Sequence, residues 1–474
     1  MATIFGTNGA DILRGTSSAD AIYGFWGDDS ITGGLGRDFL YGGMGNDTLD
    51  GGAGRNVLDG GGGFDLVLYS SRISPVRADL RTGVVGFPGG ATDTLIDIEA
   101  IDGGSGADRF IGNGAGNRFW GSGGNDTLIG NFGSDTLLGG GGADSLDGGN
   151  GQDSLVGGFG NDTMRGGAHD DIFSFGPIGR EGPGDTVDLV DYGRDVIDGG
   201  AGTDTLFIDG PIVDFEDWTI IFAGEAPPVR ANLGAGTLRL GDSTNRSTLI
   251  SIENIETGSG ADSINGSSGD NFISAGDGAN VVYAGAGNDT IIGGGSRLYD
   301  DYDVGAPDPA EYLNGGGGDD IIYGMGSVVE SAVDSVEYPG TDFLSGGGGN
   351  DTIYGGNGIN LISGGSGDDL FVLSDALSTT HGMPEETIIT ISDFERGQDK
   401  IGFNLSYYDG EITFRGETFP GYDPGALAYY RGASDTFVYL AIYDEESAPN
   451  GVGIITISLS GYTGPLSASD FDLG

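Results

Sequence analysis

The chain has 474 residues, of which 100 are glycine, 15 proline and none cysteine, and its formal net charge at pH 7 is −53. So much glycine with so little proline and no running Gly-X-Y triplet excludes a collagen, and the missing cysteines exclude disulfides, thiolate zinc sites and a cysteine nucleophile. With 72 Asp and Glu against 19 Lys and Arg there is no basic stripe for phosphates, which excludes a nucleic-acid partner and disfavours anionic lipid; no apolar run approaches the ~20 residues of a membrane span.

The first residues, MATIFGTNGADILRG, have neither a basic n-region nor an apolar h-region, so no Sec-type signal peptide is expected. From residue 2 a nine-residue unit recurs, G-G-x-G-x-D-x-U-x, where U is a large apolar residue. In the first block, residues 2–69, its sixth position holds Asp11, Asp20, Asp29, Asp38, Asp47, Asn56 and Asp65. Residues 70–102 break the array with PVRADL at 75–80 and LIDIEAI at 95–101, whose β-branched residues predict a metal-poor rung that continues the stack. The second block, 103–207, places Asp108, Asn117, Asp126, Asp135, Asp144, Asp153, Asp162, Asp171, Asp195 and Asp204 in phase, with an excursion at 175–194. A second bridge, 208–257, repeats the first with PVRANL at 228–233 and LISIENI at 249–255, so the chain is internally duplicated. The third block, 258–373, holds Asp262, Asn271, Asn280, Asp289, Asp320, Asp342, Asp351, Asn360 and Asp369; one insertion brings Glu311 to the sixth position and the other brings Asp342 there. The inserted loops are acidic (Asp300, Asp301, Asp303, Asp308). From 374 to 474 glycine falls and tyrosine rises, and alternating segments predict a β-rich cap.

The unit has a physical reading. Its last three residues alternate out, in, out, as a short strand does. Stacking therefore buries Leu40, Leu49, Leu58 and Val67, and likewise Leu128, Leu137, Leu146 and Leu155, each worth roughly 1.5–3 kcal/mol. The other six residues must reverse the chain, which their glycines permit. Stacked turns bring carboxylates to about 4.8 Å, where like charges repel unless a cation lies between them. A hard cation with six to eight oxygen ligands fits, and a flexible loop suits Ca2+ better than Mg2+. Amides are weaker ligands, so the sites around Asn56 and Asn117, and the coil carrying Asn271 and Asn280, are expected to be metal-poor.

These units resemble the RTX, or hemolysin-type, calcium-binding family over residues 2–373. The resemblance implies an all-β, right-handed parallel β-roll or β-helix solenoid with two repeats per coil. It also implies many Ca2+ ions held between successive turns of one edge, by the sixth-position carboxylates and carbonyls of the glycine-rich loop. The segment ITISDFERGQDKIGFN from Ile389 resembles the element that closes the roll in serralysin-type proteins, and SASDFDLG is similar to the tail of type I secretion substrates. The expectation is a secreted protein, extracellular or cell-surface associated, that meets the type I secretion machinery.

No catalytic residue is expected. The two histidines, His169 and His381, lie in no His-Glu-x-x-His motif, no G-x-S-x-G elbow accompanies them, and Lys400 is the only lysine. His169 reads as a turn residue, and Arg77 and Arg230 as a surface that could touch polysaccharide. Thr3, Ile4 and Phe5 stand in strand phase before Gly6 without a polar cap, so calcium-dependent self-association through that rung is expected.

Overall fold

The computed structural model describes residues 2–175, 193–208, 212–213, 220–221, 228–241, 244–258, 260–294, 310–324, 341–355, 359–374, 388–404, 413–414, 426–431, 434–443 and 452–472. The excursion at 176–192, the insertions at 295–309 and 325–340 with their acidic residues, and His381 lie outside these. The chain forms two compact units, one of Met1–Gly224, Thr237–Arg239 and Ser243–Ile252, the other of Glu225–Gly236, Leu240–Asp242 and Glu253–Gly474.

In the first unit each nonapeptide contributes one short strand, and consecutive strands go to two different parallel sheets. Thr3–Phe5, Ala21–Trp26, Phe39–Met44 and Val57–Gly62 make one ladder, pairing Ile4 with Ile22, Ile22 with Leu40 and Leu40 with Leu58. Ile12–Arg14, Ser30–Thr32, Thr48–Asp50 and Leu66–Leu68 make the other, pairing Leu13 with Ile31, Ile31 with Leu49 and Leu49 with Val67. One coil is thus two repeats, as the family resemblance implies. The inward residue of each strand meets its counterparts above and below, and Leu40, Leu49, Leu58, Val67, Leu128, Leu137 and Leu155 are fully buried.

The first bridge continues the stack in a different way. Thr92–Ile96 takes the next place in the first ladder, with Leu95 on Leu58, and Arg77–Asp79 runs parallel to Arg109–Ile111. Between them Val84–Gly86 pairs antiparallel with both, so the excursion is a three-stranded antiparallel insert spliced into a parallel sheet. Its inward residues Val76, Ala78, Val85 and Leu95 extend the core. Regular coils resume beyond it around Phe110 and Phe119, whose ring centroids are 5.6 Å apart.

The second unit repeats the plan. Val229–Asn232, Ser263–Asn265, Val281–Ala286, Tyr312–Gly317, Thr341–Gly348, Ile359–Ser366 and Ile388–Ile391 pair in sequence as one parallel ladder. The insertions leave its register intact: Val282 sits on Leu313, and Leu313 on Leu344. Val452–Ser460 then joins Ile388–Ile391 in parallel but pairs antiparallel with Asp435–Tyr443, which pairs antiparallel with Ala426–Arg431. This change of direction gives the β-rich cap. Asp393 closes the last glycine-rich turn, accepting the amides of Gly364 and Gly365 at 3.1 and 2.9 Å and the Ser363 hydroxyl at 2.6 Å. Among the described residues the only helical element is the 3-10 turn Ala468–Asp470.

Candidate metal centre

The sixth-position side chains form continuous ladders along both edges of the coils. One carboxylate oxygen of each accepts the backbone amide of the sixth-position residue one coil earlier. Thus the amides of Asp11, Asp29 and Asp47 donate to Asp29, Asp47 and Asp65, each at 2.8 Å. On the opposite edge Asp20 donates to Asp38 and Asp38 to Asn56, at 2.8 and 3.0 Å. In the second block Asp108 donates to Asp126, Asp126 to Asp144, Asp144 to Asp162 and Asp162 to Asp195, at 2.7–2.9 Å. Asn117, Asp135, Asp153 and Asp171 donate to Asp135, Asp153, Asp171 and Asp204 in the same way. In the second unit the acceptors are Asp262, Asp289, Asp320, Asp342, Asp351 and Asp369, and Glu311 stands in the ladder as well.

The ladder uses one oxygen and leaves the other. The Oδ2 atoms of Asp29, Asp38, Asp47, Asp65, Asp126, Asp135, Asp144, Asp153, Asp162, Asp171, Asp289, Asp320 and Asp351 are buried and accept no hydrogen bond. A buried polar group without a partner costs about 1–3 kcal/mol, more when charged. In the turns opened by Gly24, Gly42, Gly121, Gly130, Gly139 and Gly346, Oδ2 of the sixth residue lies over that glycine and beside the carbonyl of the glycine that opens the next turn of that edge. A side chain at Gly24 would collide with Asp29 Oδ2 and the Gly42 carbonyl; at Gly121 it would meet Asp126 Oδ2 and the Gly139 carbonyl. The backbone keeps this cradle clear by taking positive φ at the second and fourth positions, where even Phe25, Ser122, Asn131 and His169 adopt φ between 72° and 87°. His169 is therefore a turn residue.

Among the described residues no three Asp, Glu or His side chains converge. A cation must draw on one or two carboxylates together with main-chain carbonyls, an all-oxygen set that suits the six to eight ligands of Ca2+. Bound there, Ca2+ supplies the positive charge that the stacked carboxylates lack and ties successive turns together.

The electrostatics agree. Burial, reinforced by neighbouring carboxylates, pushes Asp126, Asp135, Asp144, Asp171 and Asp320 up to about 7, and Asp65 and Asp351 to about 6. A carboxyl raised in the folded state favours folding fully below its unfolded value near 4, and that contribution is lost as pH rises through about 7. Protonation relieves the same buried oxygens that calcium does, so the calcium midpoint for inducing strand should rise as pH rises from about 5 to about 7.5 and then level off. Titrations followed by circular dichroism at several pH values check this; a midpoint independent of pH contradicts it.

Not every expected ligand is open. Asp20 Oδ2 accepts the amide and hydroxyl of Thr16, and Asp11 Oδ2 those of Thr7. Asp108 Oδ2 accepts the Gly104 amide at 3.1 Å. The amide-bearing turns differ among themselves. Asn56 directs Nδ2, which donates to nothing, where other turns direct Oδ2, while Asn117 and Asn271 donate to the carbonyls of Glu99 and Glu253. Asn280 donates to Glu311 at 3.0 Å.

The reading by period missed Asp93, Glu99 and Asp399. They continue the ladders by accepting the amides of Asn56, Asp65 and Asp369. Their signal was present: each acid stands two residues before a buried apolar residue, Leu95, Ile101 or Ile401, just as Asp47 stands before Leu49. The expectation of a metal-poor bridge needs the amendment that the bridge supplies Asp93 and Glu99 to the ladders. Asp93 spends its second oxygen on the Tyr69 hydroxyl at 3.2 Å.

The family model of the RTX calcium-binding nonapeptide repeat matches residues 5–40, 32–67, 120–155, 147–177, 191–209, 256–291, 310–327 and 338–371. No curated protein matches the chain. Among solved structures, a subunit of the mannuronan C5-epimerase of Azotobacter vinelandii is similar at 24% identity and TM-score 0.25, over 38% of this chain and 86% of its own. An extracellular lipase from Serratia marcescens is similar at 19% identity and TM-score 0.14, over 53% of this chain and 38% of its own. A nine-residue period that folds into half a coil, and sets a carboxylate oxygen with no donor against a glycine carbonyl at turn after turn, is what this repeat encodes: the chain is a calcium-binding β-roll protein whose repeats belong to the RTX calcium-binding nonapeptide-repeat family.

Proposed function

We propose that this is a secreted protein that folds on export by binding many Ca2+ ions and serves a structural or adhesive, self-associating role in an extracellular layer, matrix or filament. The observation that carries the reading is the run of buried carboxylate oxygens without donors. Where calcium is scarce, a chain of charge −53 and low hydrophobicity stays unfolded and exportable. Where calcium is abundant, metal binding supplies the folding free energy, because the ligands converge only in the native stack. In this reading the type I secretion machinery is the export partner and the protein is not an enzyme.

The adhesive part is supported by an exposed aromatic row on the first coils. Phe5 stacks on Tyr23 and Phe25 at 5.5 and 5.9 Å, and Trp26 and Met44, paired in register, are each more than 60% exposed. Apolar surface of this kind marks an association site. Sedimentation of the calcium-loaded protein should show concentration-dependent association that the double substitution Phe5→Ser, Trp26→Ser weakens. Monomer alone at high concentration would sink the self-association.

A second reading, an enzyme or lectin acting on polysaccharide along a sheet face, is favoured by one feature. Arg77 and Arg109 stand side by side in register, both exposed, in a chain otherwise dominated by acids. Incubation with acidic glycans, followed for shortened or unsaturated products and for retained binding, separates it from the first.

A further inference from the structure

The turns fall into two conformational classes that the nine-residue period does not distinguish. In the open class the second and fourth residues have positive φ and Oδ2 of the sixth residue has no donor, as in 24–29, 42–47, 121–126 and 139–144. In the closed class, seen at 6–11, 15–20, 103–108, 112–117 and 266–271, no residue has positive φ. The amide of the second residue instead turns inward onto the sixth side chain. Thr7 and Thr16 donate to Asp11 and Asp20 at 2.6 and 2.7 Å, and Asn113 and Ser267 to the Oδ1 atoms of Asn117 and Asn271 at 2.8 and 2.7 Å. The oxygen that is orphaned in an open turn is satisfied here by the turn itself.

Two further facts bear on what the closed class does. An amide replaces the carboxylate at Asn117 and Asn271 without loss of that bond, so this position needs an acceptor and no charge. In the second block the closed turns are the first of each edge: 103–108 precedes 121–126, and 112–117 precedes 130–135, in ladders that continue with open turns. In the third block 266–271 stands in the same relation to Asp289.

We propose that the closed turns take no cation, and that the inward main-chain donor at their second position sets where calcium loading begins along each edge. The proposal rests on the calcium-binding reading of the open turns and adds which acids at the sixth position are excluded. Asp11, Asp20 and Asp108 carry the repeat's aspartate but hold hydrogen bonds in place of an ion.

The test counts ions on the full chain. Asp126→Asn, in an open turn, should carry one Ca2+ fewer than the wild type and need more calcium to gain its strand spectrum. Asp20→Asn and Asp108→Asn should carry the wild-type number; their Nδ2 would face the Ala2 and Val76 amides that Oδ1 accepts at 2.7 Å, so the ion count and not the midpoint is the readout for these two. Asn117→Asp, which adds a carboxylate to a closed turn, should gain no ion. Loss of an ion in Asp20→Asn or Asp108→Asn, or a gain in Asn117→Asp, overturns the proposal. An unchanged count in Asp126→Asn instead defeats the reading of the open turns. Should Asp20→Asn fail to fold, Asp108→Asn and Asn117→Asp decide the matter.

Discussion

Removing calcium from the folded protein should abolish most of its far-UV strand signal, and returning it should restore the signal cooperatively. Each open turn buries a carboxylate oxygen that no donor satisfies, over both edges and in both units. At about 1–3 kcal/mol for each such oxygen, and more when it is ionised, a handful of turns exceeds the 5–15 kcal/mol by which a domain is ordinarily stable. Protonation is the only other relief, and the most strongly shifted of these carboxyls reach only about 7. At pH 8 they are ionised, so a cation is required. Coils contact only their neighbours, which makes the gain cooperative along the stack. A spectrum unchanged after exhaustive chelation at pH 8 would contradict this.

A large effect of a single substitution should come from Gly142→Ala. Gly142 has φ +145°, and a methyl group there would lie inside the carbonyl of Gly124 on the coil below. An alanine must relax both a backbone conformation that L-residues avoid and an overlap between main chains, which together cost about 2–5 kcal/mol. The clash is with backbone, so it cannot be relieved by a rotamer change; the two coils must separate, and the cradles between them open. Thermal melts in calcium should show a large drop in Tm and a raised calcium midpoint. Gly114→Ala is the control. That glycine lies in a closed turn, lacks positive φ, and would place its methyl group with nothing within 4 Å, so the change should stay within about 0.5 kcal/mol. Equal effects in the two variants would refute the distinction between the classes.

Much of the fold is legible in the sequence because its rules are local and periodic. Alternation within x-U-x makes Leu49 an inward residue whatever surrounds it, and the nine-residue recurrence of Asp requires those acids to be stacked. The bridges are less legible. Arg77–Asp79, Val84–Gly86 and Thr92–Ile96 read as strands, but their antiparallel splice depends on pairing between segments, and periodicity says nothing of partners. Asp93 and Glu99 were missed because they stand out of the nine-residue phase set by Asp65, and it is the three-dimensional ladder that shows they receive the amides of Asn56 and Asp65.

Period by itself determined stacked short strands with an apolar interior and aspartates aligned along their edges, and the family resemblance implied the β-roll. What they did not determine is which aspartates face a cation. GGSGAD at 103–108 and GGGGAD at 139–144 differ at one residue, yet the first is closed and the second open. Gly104 stacks against the carbonyl of Arg72 in the bridge, whereas Gly140 stacks against the carbonyl of Ser122 in another glycine turn. Glycine accepts either backbone conformation at little cost, so the neighbouring coil makes the choice.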